Sequence, residues 1–198
     1  MKTEFQKKLS KAKIGIAGAG GLGSNCAVSL ARVGVGNLVI ADFDTIDESN
    51  LNRQYFFYDQ IGQKKVFALK HNIKRINPKI KIVALDIKLE PKDIVKIYKD
   101  CDIIVEAFDL SEMKHMIIET VLTEFPEKHL ISGVGLAGWG ENNLFETIKS
   151  GNLYFSGDRK TEVSEKLPPL APRVGIVANM QANLVLELIL GKIIEKDV

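Results

Sequence analysis

The chain has 198 residues, 45% of them hydrophobic, with 27 basic and 25 acidic side chains and a net charge of +2. A chain of this length buries roughly 70% of its unfolded surface, and residues 1–198 read as a single domain. The near balance of charge argues against an electrostatic nucleic-acid binder. The first residues are charged and lack an apolar h-region, and no uninterrupted apolar stretch approaches the roughly 18 residues of a membrane span. With two cysteines and no secretion signal, the cytoplasm is the expected compartment.

Strand and helix patterns alternate along the chain, as in an α/β fold with a parallel sheet. A short apolar strand over 13–18 runs into Gly18-Ala-Gly20-Gly21-Leu-Gly23, and a helix with one apolar face follows over 22–33. Glycine permits a tight strand-to-helix turn and a close backbone approach to a phosphate, and the free N–H groups of a helix N-terminus present partial positive charge to it. Gly18, Gly20, Gly21 and Gly23 are therefore candidate cofactor-binding residues. The second strand, 37–41, ends at Asp42, at about the spacing of a carboxylate that holds a ribose hydroxyl. To this point a nicotinamide-dependent oxidoreductase fits equally well.

The next stretch separates the readings. Asp44 is followed by Ser49-Asn50-Leu-Asn-Arg53-Gln54, and Gly62-Gln-Lys-Lys65 opens a helix expected over 63–76. An Arg fork and a Lys point charge beside a nucleotide suit a triphosphate, whose charge must be neutralised as pyrophosphate leaves. Taken alone, either cation is an ordinary surface charge. A strand over 80–85 and a helix over 91–99 come next, then a buried strand over 102–106 that leads to Asp109. Ligands of open α/β sheets bind at that carboxyl edge, so Asp109 is a candidate Mg²⁺ ligand. Asp109 and Ser111 also stand where the helix over 111–123 needs an N-cap, with Ser111 the expected cap.

A fifth strand, 129–134, is followed by Gly133-Val-Gly135-Leu-Ala-Gly138-Trp139-Gly140, whose missing side chains could leave open a channel at the strand ends; a plain Gly-rich turn is the competing reading. Residues 143–148 and 152–155, joined across Lys149-Ser-Gly151, read as a hairpin at the sheet's edge. The polar, then Pro-rich segment 157–171 reads as a mobile connection before a last helix over 173–191. His71, His115 and His129 lack metal-ligand spacing, and Cys26 and Cys101 read as small packing residues.

The Gly-rich turn, Asp42-Phe-Asp44, Ser49-Asn-Leu-Asn-Arg53-Gln54, Gly62-Gln-Lys-Lys65, Arg75-Ile-Asn-Pro78, the strand ending in Asp109 and Ala171-Pro-Arg-Val-Gly-Ile-Val-Ala-Asn-Met-Gln-Ala182 occur in one order. Together they resemble the ThiF/MoeB/HesA adenylating enzymes, relatives of ubiquitin-activating enzymes. The length and the lack of zinc cysteines look most like the compact ThiF type that adenylates the sulfur carrier ThiS. The resemblance implies a Rossmann-like α/β fold: a mainly parallel sheet, helices on both faces and an antiparallel edge hairpin. It implies ATP and Mg²⁺ as cofactors. Gly21 would lie against the nucleotide, Asp42 would bind its ribose, Asn50, Arg53 and Lys65 would face the phosphates, and Asp109 would serve Mg²⁺ binding and adenylation.

The implied reaction is attack by a carrier's C-terminal glycine carboxylate on the α-phosphate of ATP, giving an acyl-adenylate and pyrophosphate. A ThiS-like ubiquitin-fold carrier, a separate sulfur donor protein and a second copy of the chain are the implied partners, with no membrane. A MoaD-like carrier, a modified tRNA base, or a docking role without turnover are the alternatives.

Departures from the family pattern carry information too. Longer members have an N-terminal Arg-Tyr-x-Arg-Gln-type segment whose arginine enters the partner's site; this chain begins Met1-Lys-Thr-Glu-Phe-Gln-Lys-Lys-Leu-Ser10, with no arginine. Two cysteines are too few for the two Cys-x-x-Cys pairs of a structural zinc site. The crossover segment 156–169 has no cysteine for a covalent carrier link, and Leu110 stands where relatives often place a polar residue.

Overall fold

The β-branched runs become strands and the amphipathic segments between them become helices. In the computed structural model, which describes residues 3–191, α1 (Glu4–Lys11) leads into β1 (Lys13–Ala17), α2 (Gly21–Val33), β2 (Asn37–Asp42), α3 (Lys65–Ile76) and β3 (Lys81–Asp86). There follow α4 (Pro91–Tyr98), β4 (Ile103–Glu106), α5 (Ser111–Glu124), β5 (His129–Gly133), β6 (Glu146–Ser150), β7 (Leu153–Gly157) and α6 (Ala171–Leu190). The outer ends of the expected 1–198 domain lie outside the described residues.

The strands form one sheet in the order β3-β2-β1-β4-β5-β7-β6. All neighbours are parallel except β6 and β7, which pair as the edge hairpin with Ile148 opposite Phe155. Successive side chains of a strand point to opposite faces, so a strand covered on both sides must be apolar throughout. Accordingly Ile14, Ile16, Leu38, Ile40 and Val105 pack with residues of α2, α3 and α6, while Ala17, Val39, Ala41 and Ile104 pack with Ile94 and Tyr98 of α4 and Ile117 and Val121 of α5. Helices thus cover both faces.

The chain runs outward from β1 through β2 to β3, then returns to the other side of β1 with β4. At that reversal, the loops after β1 and β4 diverge and leave a crevice at the carboxyl ends of the strands. Asp42, the Gly-rich turn, Asp109 and the glycines after β5 all follow strand ends on this edge.

Several local features differ from the sequence reading. Helix α1 was not expected; its signal was the capping box at Thr3 and Gln6, in which the Thr3 N–H donates to Gln6 Oε1 at 3.0 Å and the Gln6 N–H to Thr3 Oγ1 at 3.4 Å. The hairpin's first strand starts three residues later than expected and its second one residue later, because residues 142–144 form a short 3-10 turn instead. Neither Asp109 nor Ser111 caps α5: the N-cap is Leu110, with no side-chain bond to the helix.

Residues 157–171 are tied down rather than loose. Asp158 is buried, Ser164 and Leu167 exchange backbone hydrogen bonds at 3.1 Å, the Gly138 N–H donates to the Pro168 carbonyl at 2.9 Å, and the Ala171 N–H to the Asn52 carbonyl at 3.2 Å. The glycines facing this segment are packing positions. Gly135, at φ +70°, lies against the Asp158 carboxylate and the Arg159 backbone, and Gly138 against Leu167.

Finally, α6 is long and apolar enough by length and mean composition to cross a membrane, although Arg173, Asn179, Gln181, Asn183 and Glu187 interrupt its apolar residues, so the expectation of no uninterrupted apolar span is unaffected. Its face bearing Arg173, Val174, Val177, Gln181 and Val185 is buried against the protein, which is what the central helix of a core requires.

Candidate active site

A cavity of about 1130 Å³ occupies the crevice. Gly18, Gly20, Gly21, Asp42, Asp44, Arg53, Gln54, Lys65 and Asp109 line it together, although they are spread over 92 positions of sequence from Gly18 to Asp109.

The glycines divide by task. Gly18 takes φ +101°, where a Cβ would come within 2.7 Å of the Ala107 carbonyl, so the turn can pass beside the end of β4 only as glycine. Gly20 caps α2 without any side chain, leaving the first N–H groups of the helix open toward the cavity. Gly23 is absent from the lining: it is buried where a Cβ would strike the Gly18 carbonyl, and it seats the helix on the turn instead of facing a ligand.

Asp42 stitches the turn to the end of β2. The Ala19 N–H donates to its Oδ2 at 2.6 Å and the Asp44 N–H to its Oδ1 at 2.7 Å. Burial raises the Asp42 carboxyl above its ordinary value, with those two donors and Lys65 pulling the other way. Each oxygen keeps a second lone pair for a hydroxyl.

Of the paired lysines that open α3, Lys64 turns outward to Asp86, 3.1 Å away, and Lys65 turns inward. Lys65 Nζ lies 2.7 Å from Asp44 Oδ2. Arg53 is differently placed: its Nη1 donates to the Ser49 carbonyl at 3.0 Å and to Asn52 Oδ1 at 2.8 Å, and among the described residues it has no acidic partner. Ser49 and Asn50 do not line the cavity. Asn50 Oδ1 accepts the Asp47 N–H at 3.2 Å, so these two residues build the turn that carries Arg53. Gln54 is buried at the cavity wall with its Oε1 unpartnered.

Asp109 is exposed, lines the cavity and has no hydrogen-bonding partner among the described residues. A lone carboxylate does not make a metal cage, and the described residues contain no cluster of three or more His, Cys, Asp or Glu side chains able to hold a metal ion. It fits Mg²⁺ only in the manner where one or two carboxylates and the substrate's phosphates share the ion.

Two polar networks were not legible in the sequence. Glu106, fully buried at the end of β4, accepts from the Phe108 N–H at 2.6 Å, from Ser132 Oγ at 2.5 Å and from Lys114 Nζ at 2.9 Å; Lys114 also donates to the Gly133 carbonyl at 3.0 Å. Buried Arg173 pairs with buried Asp158 after β7. Each pair unites distant segments, and only the (i, i+8) spacing of Glu106 and Lys114 across a strand-to-helix turn offered a hint.

The cavity therefore joins open helix N–H groups, an arginine without an acidic partner and a buried lysine on one wall to a free carboxylate on the next, which suits a polyanion whose charge is shared with a cation. A sequence profile of the ThiF family matches residues 1–197. The molybdopterin-synthase adenylyltransferase of Haemophilus influenzae is 33% identical over 184 residues, 89% of this chain and 74% of that protein. Adenylyltransferase and sulfurtransferase MOCS3-1 of Zea mays is 36% identical over 143 residues, 72% of this chain but 30% of the maize protein, so the chain spans under a third of that relative. The solved structure of the Escherichia coli tRNA N6-threonylcarbamoyladenosine dehydratase TcdA in complex with ATP superposes with a TM-score of 0.85 at 18% identity, covering 94% of this chain and 88% of that one. That last likeness is one of fold, whereas the profile spans nearly the whole sequence: the chain belongs to the ThiF family.

Proposed function

We propose that this protein adenylates the C-terminal glycine of a ubiquitin-like sulfur carrier, using ATP and releasing pyrophosphate. The observation that carries the reading is the pairing of Arg53, which lacks an acidic partner, with Asp109, which lacks any, in one cavity beside the Gly-rich turn. In this reading the turn and the start of α2 receive the phosphates, Asp42 the ribose, and Arg53 and Lys65 the charge that develops on the leaving pyrophosphate. Asp109 with the phosphate oxygens would hold Mg²⁺, which supplies charge neutralisation at the phosphates when bound. The carrier's carboxylate oxygen forms a bond to the α-phosphorus as the bond from that phosphorus to the bridging oxygen breaks. No proton transfer and no protein nucleophile is needed, and the protein supplies alignment.

The carrier is of ThiS or MoaD type. The cysteine count, too low for a zinc site, favours the first, and the name of the Haemophilus relative, a molybdopterin-synthase adenylyltransferase, favours the second. A modified tRNA base is the second acceptor class, motivated by the tRNA dehydratase activity named for TcdA and opposed by a net charge of only +2. A one-domain chain over residues 1–198, a homodimer, a separate sulfur donor protein and a cytoplasmic setting complete the proposal; two buried free thiols fit a reducing compartment.

ATP–pyrophosphate exchange with Mg²⁺, measured with ThiS-like and MoaD-like carriers and without one, tests the reading. Carrier-dependent exchange that Asp109→Ala abolishes is the expected result. Exchange with neither carrier overturns it.

A further inference from the structure

The cavity follows the sheet edge from Asp42 at the end of β2, past the turn after β1, the Asp109 loop after β4 and the glycines at and after the end of β5, to Arg159–Val163 after β7. Four strand spacings of about 4.8 Å make this a groove of about 19 Å. On the proposed function, the nucleotide occupies the β2–β1–β4 part, where the ribose carboxylate, the glycines and the phosphate cations lie. The β5–β7 part is left for the acceptor. Its outer wall is Arg159–Val163, and its floor is Gly133–Leu136.

We propose that Arg173 is a positioning residue for this acceptor wall, acting through Asp158 and touching no substrate itself. Arg173 is 2% exposed and Asp158 is 2% exposed, and their side chains form an ion pair. From that pair, hydrogen bonds reach the middle of the wall at Lys160 and Thr161. Asp158 Oδ1 accepts the Lys160 N–H at 2.8 Å and the Thr161 N–H at 2.9 Å, and Oδ2 accepts the Thr161 hydroxyl at 2.8 Å. Thr161 Oγ1 in turn accepts the Ala137 N–H at 3.2 Å, tying the wall to the floor.

Arg173 Nη1 donates to the Gly140 carbonyl at 2.8 Å, and the guanidinium lies 4.6 Å from the ring centroid of Phe145. One cation at the start of α6 thus fixes the loop after β7, the glycine loop after β5 and the approach to the hairpin. The wall it holds is a demanding one: Arg159 sits at φ +57°, a left-handed conformation uncommon for a non-glycine residue, and the next residue presents the Lys160 side chain at the cavity. Arg159 has anchors of its own, since its N–H donates to the Val134 carbonyl at 3.4 Å and its guanidinium pairs with Glu146, whereas the Lys160 and Thr161 backbone that follows is held by Asp158 and so by the buried pair.

Removing only the arginine leaves an uncompensated buried carboxylate, so the test uses Arg173→Met/Asp158→Asn, which neutralises both partners, beside Arg173→Lys, which keeps the charge but loses the fork. Exchange kinetics with the carrier that supports wild-type turnover give KM for carrier and for ATP separately, and hydrogen exchange follows the Lys160 and Thr161 amides. The expected result is a carrier KM raised roughly tenfold or more, by analogy with the cost of small misplacements, an ATP KM within about twofold, faster exchange of both amides, and partial recovery in Arg173→Lys. Unchanged carrier KM, or carrier and ATP KM rising together, overturns the proposal. If the wild-type protein turns over with no carrier, the proposed function fails on that control alone, and the amides decide for Arg173: protection equal to wild type in the double variant overturns its role, and lost protection with intact ATP binding upholds it.

Discussion

Lys65 Nζ is held 2.7 Å from Asp44 Oδ2 with the lysine side chain 7% exposed, so this cavity cation is already neutralised in the free protein, whereas Arg53 on the same wall faces no carboxylate. The two cations therefore contribute differently to a phosphate ligand. Lys65 must exchange one anionic partner for another, and only the difference between them appears as affinity; Arg53 gains its partner outright. Arg53→Ala is expected to lower carrier-dependent exchange by about 10²–10³-fold, the range for loss of one preorganised charge-stabilising donor. Lys65→Met is expected to weaken ATP binding by only about tenfold, as for one charged hydrogen bond. Isothermal titration with ATP and exchange kinetics on both variants check the order.

Asp109 is the complementary case. It is exposed, caps no helix and has no hydrogen-bonding partner among the described residues, so the fold does not use it. Asp109→Asn should leave the thermal midpoint within about 1 °C, as for a surface substitution without partners. It should shift the Mg²⁺ dependence of exchange to higher concentration and reduce the rate at saturation. A midpoint that falls along with the rate would mean that Asp109 acts through structure.

Much of the fold was legible because its signals are local. Strand and helix alternation, the glycines of the first turn and Asp42 at the end of β2 are short-range patterns, although the turn itself packs against Asp42 and Ala107. The cavity was legible for a second reason: carboxyl ends of parallel strands converge wherever the chain reverses direction along the sheet. What escaped depends on long-range pairing. Nothing near Asp158 in sequence announces a partner fifteen residues on at the start of α6, so the segment read as a polar connection when it is a turn nailed to the core. Nor could Gly135 be read as a packing position before Asp158 was known to lie against it. Gly23 shows the converse: the motif offered it as a cofactor-binding glycine, and its task of close packing cannot be told from ligand approach without the Gly18 carbonyl in view.

Gly135 carries its own prediction. At φ +70°, beside the Asp158 carboxylate and the Arg159 backbone, it has no space for a side chain. Gly135→Ala should destabilise by roughly 1–3 kcal/mol through backbone strain and displacement of the loop. Gly135→Val would lose carrier adenylation whether or not a peptide tail passes there, so the loss alone says nothing about a channel. Chemical denaturation of Gly135→Ala, with the slope unchanged and the midpoint lowered, is the expected signature.

Acid stability should report the Asp158–Arg173 pair. Burial works against the charge on Asp158, yet the Thr161 and Lys160 N–H groups, the Thr161 hydroxyl and Arg173 together hold its carboxyl below the ordinary value of 3.8. A folded-state value below the unfolded one means that the folded protein releases this proton more readily. The resulting stability is fully present above the ordinary carboxylate value and is lost as pH falls through the lowered folded value. Stability of the wild-type protein should therefore fall below about pH 4, and the Arg173→Met/Asp158→Asn variant should show a flatter fall over the same window. Denaturation midpoints at a series of pH values between neutrality and acid check this.

The thiols decide where sulfur can enter. Cys26 lies on the buried face of α2, and burial pushes its thiol up to about 12; Cys101, just ahead of β4, is pushed up to about 11 by the same cause. Sulfur chemistry runs through the thiolate, so at neutral pH both groups are inert as well as inaccessible. Alkylating reagents at pH 8 should label neither cysteine in the folded protein and both after unfolding. Cys101→Ala should leave carrier adenylation and subsequent sulfur transfer from an added donor protein unchanged, with mass spectrometry of the carrier tail as the readout. Transfer abolished by that substitution, with adenylation intact, would show that Cys101 relays sulfur from the added donor protein to the carrier and would overturn the reading of a structural thiol.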